Sequence, residues 1–134
     1  MSVNILSSTQ RRLFFRIAAL FNFSVGGVFI LAYPQVQELL GLPATPSGLM
    51  VFRDLFFGLV IACGVAYWLL GENYARYRMY APLGAALKLI VVAVVLGHCL
   101  AGHNTPALFV LSLGDVFFAI AFMWIFIRTS PEVA

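Results

Sequence analysis

LFVLSLGDVFFAIAFM, residues 108–123, is a run of sixteen positions in which Asp115 alone carries a charge. With its neighbours it forms an apolar stretch over residues 106–127, and at about 1.5 Å per residue that is enough to cross a hydrocarbon layer of roughly 30 Å as one helix. The rest of the chain agrees. Of 134 residues, 63% are hydrophobic and 10% charged, with a mean hydropathy of +1.00, whereas soluble domains are roughly 45–50% apolar and about 25% charged. The sequence therefore predicts an all-α integral membrane protein, and nucleic acid is not an implied partner.

Three more stretches are long enough to span: 13–33, 49–70 and 81–100. Together with 106–127 they predict a four-transmembrane-helix bundle forming a single domain over residues 1–134. The start of the first, Arg11-Arg12-Leu13-Phe14-Phe15, looks like a twin-arginine export signal. The apolar run behind it is too long for such a signal, and no small-x-small cleavage site follows, so a retained first helix is expected.

Arginines set the orientation. Arg11 and Arg12 precede the first helix, Arg76 and Arg78 lie between the second and third, and Arg128 follows the fourth, while segments 34–48 and 101–105 contain no Lys or Arg. The positive-inside rule then places both termini in the cytoplasm of a multi-pass protein. Tyr33, Tyr67, Trp68, Tyr74, Tyr77, Tyr80 and Trp124 fall near the expected helix ends, where amphipathic rings favour the interface. Between the first two helices, Val36, Leu39 and Leu40 follow Pro34 at helical spacing, and Gly41 and Pro43 read as a stop, predicting a short interfacial turn over 34–41.

An isolated charge at the bilayer centre costs at least about 2.5–3.5 kcal/mol, so Asp115 needs an answer. With the third and fourth helices turning near residue 103, Lys88 lies fifteen residues before the turn and Asp115 twelve after. The mismatch of depth is about 4.5 Å at helical rise, within reach of a lysine side chain. Asn22 falls within about a turn of the same depth, so Asn22, Lys88 and Asp115 are expected to form one buried network. Small-residue stripes identify the inward faces: Ala18, Asn22 and Gly26 in the first helix, Asp54, Gly58, Ala62 and Ala66 in the second, Gly84 beside Lys88, and Ser112 and Ala119 around Asp115. On this reading Asp54 faces inward, toward an outer-facing pocket, and its neighbour Arg53, about 100° away, snorkels to the headgroups, as does Arg16.

The candidate ligand- or ion-binding residues are thus Asn22, Asp54, Lys88 and Asp115. Two roles stay open for them: hydrogen-bonded glue that sets helix register, or a proton or ion site. Other chemistries find little support. His98, Cys99 and His103 flank a turn without a further carboxylate or thiol to complete a metal site, Cys63 and Cys99 differ in depth by about 20 Å, and there is no C-x-x-C, Walker loop, dinucleotide fingerprint, H-E-x-x-H or G-x-S-x-G. No catalytic residue and no cofactor is assigned.

Taken in order, FNFSVGGVFILAYPQVQELLGLP, VFRDLFFGLVIACGVAYWLL, LGAALKLIVVAVV and LSLGDVFFAIAFMWIFI resemble the small bacterial four-helix membrane proteins grouped as DoxX-like. The resemblance covers about residues 11–128 and rests on the P-x(4)-LLGLP turn, Arg53 with Gly58 and Gly64, Lys88 and Asp115. It implies a location in the bacterial cytoplasmic (inner) membrane, and some relatives are membrane subunits of quinone-linked sulfur oxidation, without a shared catalytic motif to carry over. Small multidrug exporters are similar in size but carry a Glu in the first helix, where this chain has Asn22, and fluoride channels have a dual topology at odds with the one-sided arginines. Three functions follow as expectations: an accessory or ligand-binding membrane subunit, a proton- or ion-coupled transporter or channel using Asp115 and Asp54, and a quinone- or lipid-binding redox subunit. Membrane lipid and either a second copy or a larger membrane complex are the expected partners.

Overall fold

A computed structural model describes residues 6–103 and 105–129, and over these all the regular structure is helical. In order, the elements are α1 (Ser8–Leu31), α2 (Tyr33–Leu40), a short 3-10 turn (Ser47–Leu49), α3 (Met50–Glu72), α4 (Tyr74–Tyr77), α5 (Tyr80–Leu100) and α6 (Pro106–Arg128). α1, α3, α5 and α6 are long and apolar enough to cross a membrane. Their outer faces are apolar too: Leu13, Leu20, Leu55, Phe117 and Ile120 are all more than half exposed. Asn22, Lys88 and Ser112 are buried while these apolar side chains face outward, which suits lipid as the solvent.

Local chemistry sets the boundaries. α1 begins five residues ahead of the apolar run because Ser7 and Gln10 form a capping box, with the Ser7 hydroxyl accepting from the Gln10 N–H at 3.2 Å and the Gln10 side chain accepting from the Ser7 N–H at 2.9 Å. α2 starts with Pro34 in its first turn and ends at Gly41, whose φ of 62° is the left-handed conformation glycine adopts without penalty. Asn73 closes α3 and opens α4 by accepting from the Arg76 N–H at 3.1 Å.

α1 and α3 lie antiparallel at close range. Gly26 meets the Phe57 carbonyl, Gly64 the Ala19 carbonyl, and Gly71 the Arg12 carbonyl, each step moving seven residues down α1 and seven up α3. This is the heptad spacing of helices whose backbones approach through small residues. α5 and α6 form the second hairpin through a turn at Ala101–Gly102. At the arginine-rich end the hairpins are joined by a dense core of Phe15, Tyr67, Leu70, Tyr74, Phe118 and Phe122. At the other end they are tied by the Thr105 hydroxyl donating to the Leu40 carbonyl at 2.7 Å.

The expected inward face of the second span is corrected here. Asp54, Gly58 and Ala62 are exposed, and no heavy atom lies within 4 Å of where a Gly58 Cβ would stand. α3 packs instead through Phe57, Ile61, Gly64, Tyr67 and Gly71. A stripe taken only at i+4 drifts about 40° per step, so three steps wander about 120° around the helix, whereas alternating i+3 and i+4 holds one line. Tyr67 also departs from expectation: it is 2% exposed, in the core rather than at an interface.

Candidate functional site

The three polar groups expected at mid-depth do meet. Lys88, on α5, points its ammonium at α6 and α1: Nζ lies 2.5 Å from Oδ1 of Asp115 and donates to Oδ1 of Asn22 at 3.1 Å. Asn22 in turn donates from Nδ2 to the Val60 carbonyl of α3 at 3.0 Å, so the network touches all four long helices. Lys88 is 5% exposed. Its ammonium stands over the rings of Phe21, Tyr67 and Phe118 at 5.3–5.5 Å, within cation–π range. Gly84, one turn before it, leaves room for the Tyr67 ring, whose Cε1 would lie 2.5 Å from an added Cβ. Ser112 buries its hydroxyl by donating to the Phe109 carbonyl at 2.7 Å.

These groups form the floor of a chamber of about 580 Å³ between the two hairpins. Asn22, Lys88, Ser112 and Asp115 all line it, and the walls are apolar, from Val25 and Phe29 on α1, Phe57 and Val60 on α3, Val91 and Val95 on α5, and Leu108 and Leu111 on α6. The segment from Leu42 to Pro46 lines the far end, where the Tyr33 hydroxyl and the Thr45 hydroxyl lie 2.6 Å apart. One side is open to the surroundings. Leu59 of α3 and Ile90 of α5 line the chamber yet are 67% and 58% exposed, so the chamber meets the exterior between those helices. Between α1 and α6 the gap is filled by Phe14, Phe21 and Phe118 packed ring against ring.

Asp54 stands apart from this site, and the expected roles of Arg53 and Asp54 are exchanged. Arg53 turns inward, its guanidinium 4.1 Å from the Tyr33 ring centre and its side chain 17% exposed, and it lines the chamber at the loop end. Asp54 is 47% exposed and holds Arg53 from outside, Oδ1 to Nη2 at 2.7 Å. The reason is the rotation of α3 described above: seating Phe57 and Ile61 on α1 carries position 53 to the inner side and position 54 to the outer. No contact joins Asp54 to Asp115.

Arg16 does not simply snorkel. With Arg12 it brackets Glu72, Arg12 Nη2 bonding Oε2 at 2.9 Å and Arg16 Nη2 and Nε bonding Oε1 at 2.5 and 3.1 Å. His98 and His103 have ring centres 5.7 Å apart at the loop end, and among the described residues no group of three His, Cys, Asp or Glu is placed to hold a metal ion. The chamber over the ion pair, the inward Arg53 and the Glu72 cluster depart from the expected arrangement, which has an outer-facing pocket at Asp54. The heptad of Gly64 and Gly71 was a usable signal for the first two, since it marks the packed face of α3.

No family model, no curated protein and no solved structure matches this chain.

Proposed function

We propose that this protein is a multi-pass protein of the bacterial cytoplasmic membrane, with both termini in the cytoplasm, that takes a membrane-borne amphiphile into the chamber between its hairpins. The ligand's polar end, a hydroxyl or carbonyl, rests on Lys88 and Asp115, and its apolar body lies along Val60, Val91 and Leu111. The observation that carries this reading is that a buried ion pair forms the floor of an apolar chamber of about 580 Å³. A pair serving only to glue helices has no need of space beside it, and ligand sites are chambers of roughly 300–1,000 Å³ with apolar walls and few polar groups. The floor also has capacity left. A lysine ammonium has three hydrogens and a carboxylate two oxygens, and Asn22 and Asp115 Oδ1 take two of the former while Asp115 Oδ2 remains an acceptor.

Opening between Leu59 and Ile90 favours entry from the lipid phase over entry from water. Lipids and quinones are the ligand classes that fit, and the role is that of an accessory or ligand-binding subunit of a membrane complex. A DoxX-like affiliation, proposed from the P-x(4)-LLGLP turn, Arg53, Lys88 and Asp115, agrees with that role.

Val91→Trp is the direct test, because it fills the chamber one turn from Lys88 without touching the ion pair. Protein purified in neutral detergent and analysed by native mass spectrometry and solvent extraction should carry an apolar molecule at near-unit stoichiometry, lost in Val91→Trp and reduced in Lys88→Met. Identical extracts from the parent protein and Val91→Trp would rule the reading out.

A further inference from the structure

The chamber is polar at both ends and apolar between them. Asn22, Lys88 and Asp115 make its floor, and Arg53, Tyr33 and Thr45 line it at the loop end. An occupant resting on the floor alone leaves the loop end unanswered. Asp54 grips one edge of the Arg53 guanidinium, its Oδ1 lying 2.8 Å from Nε and 2.7 Å from Nη2. A guanidinium has five N–H donors on a rigid fork, so the edge built on Nη1 is left over, and among the described residues no hydrogen bond uses it. The Arg53 side chain is 17% exposed, which gives water little access to that edge.

Tyr33 lies beneath this guanidinium, and its hydroxyl is 2.6 Å from that of Thr45. One of the two donates to the other, so one hydroxyl hydrogen stays free. A withdrawn cation with open donors beside a hydroxyl calls for a negatively charged acceptor. The floor differs. Lys88 is neutralised there by the Asp115 carboxylate within the bundle, which suits an uncharged oxygen, whereas Asp54 holds Arg53 from the solvent side, at 47% exposure, where water screens it.

Helical rise gives the distance between the two ends. Arg53 comes seven residues before Val60, whose carbonyl holds Asn22, and Tyr33 comes eleven after Asn22, so the ends lie about 10–16 Å apart. The two carbonyls of a single quinone ring cannot reach both. We propose, on the premise that the chamber is the ligand site, that its occupant is a fatty acid carrying a second oxygen. The carboxylate sits on the Nη1 edge of Arg53 and the Tyr33–Thr45 pair, and a hydroxyl or oxo group farther along the chain sits on Lys88 and Asp115.

ω-Hydroxydodecanoic acid is the probe, since its ends lie about 15 Å apart when the chain is extended at roughly 1.2 Å per bond. Dodecanoic acid lacks the group for the floor, and the corresponding diol lacks the carboxylate. Each is titrated into full-length protein in neutral detergent, and the rise of the unfolding midpoint gives a half-saturating concentration. The hydroxy acid is expected to bind about tenfold more tightly than either control. Arg53→Gln should weaken the hydroxy acid about tenfold and leave the diol within about twofold, while Arg128→Gln, an exposed arginine at the other end, changes neither. Lys88→Met should bring the hydroxy acid to the level of dodecanoic acid, and Arg53→Gln carries the test should that variant fail to fold. Equal binding of the hydroxy acid and dodecanoic acid by the parent protein, or equal binding of the hydroxy acid by the parent protein and Arg53→Gln, overturns the proposal. Val91→Trp separates that failure from failure of the ligand site itself. An extract lost in Val91→Trp together with unchanged binding in Arg53→Gln leaves the site standing without its acidic anchor, whereas an extract retained in Val91→Trp removes both.

Discussion

Lys88 has three ammonium hydrogens, and the fold answers two of them with Asp115 and Asn22. Removing either member of the pair leaves the other buried beside aromatic rings, which is far costlier than never having had the pair. Lys88→Met and Asp115→Asn should therefore each lower the unfolding midpoint in detergent, and the double variant should lose less than the sum, with a coupling of about 1–3 kcal/mol. Strictly additive losses would contradict the network. Asp54 gives the contrasting case. It is half exposed and pairs with its own neighbour, so Asp54→Asn should change stability by no more than about 0.5 kcal/mol and leave the proposed occupant of the chamber in place. A large loss of ligand in that variant would reinstate the inward assignment of Asp54.

Among the elements, α3 is where pattern and packing part. Gly58 and Gly64 look alike in sequence, six residues apart in one apolar helix, but Gly64 lies against Ala19 and Phe23 and Gly58 faces outward. Gly26 is the most restrictive of the α1–α3 glycines, because an added Cβ would stand 2.9 Å from the Phe57 carbonyl oxygen, a backbone atom that cannot swing aside. Gly26→Ala should then destabilise by about 1–3 kcal/mol through overpacking. Gly58→Ala should be neutral or stabilising by up to about 1 kcal/mol, the ordinary preference of a helix for alanine. Thermal unfolding of the two variants side by side checks the rotation of α3, and equal losses would mean that both faces are packed.

On the scale of the whole molecule, two hairpins close on an aromatic core at the arginine-rich end and part toward the loop end, where the chamber lies. Six of the seven arginines, all but Arg53, belong to the closed end. A proposed cytoplasmic location of that end makes a checkable statement. With Cys63 and Cys99 replaced, a membrane-impermeant maleimide added to intact cells should label Ser47→Cys, and should reach Ser7→Cys and Arg128→Cys, exposed positions at the other end, only after permeabilisation. Labelling of Ser7→Cys in intact cells would invert the topology.

From sequence alone came the number of helices long and apolar enough to span a membrane, their approximate limits, and the level in the bundle at which Asn22, Lys88 and Asp115 sit. All of these depend on distance along the chain, which helical rise converts directly into depth, and on the high cost of a lone charge in an apolar medium. Tertiary packing decided which way each helix faces: that Arg53 looks in and Asp54 out, that Tyr67 belongs to the core, that the hairpins leave a chamber over the ion pair, and that Arg12 and Arg16 share Glu72. Rotation about a helix axis is settled by how side chains of different size fit against a neighbouring helix, and that fit belongs to two surfaces together rather than to either segment read by itself.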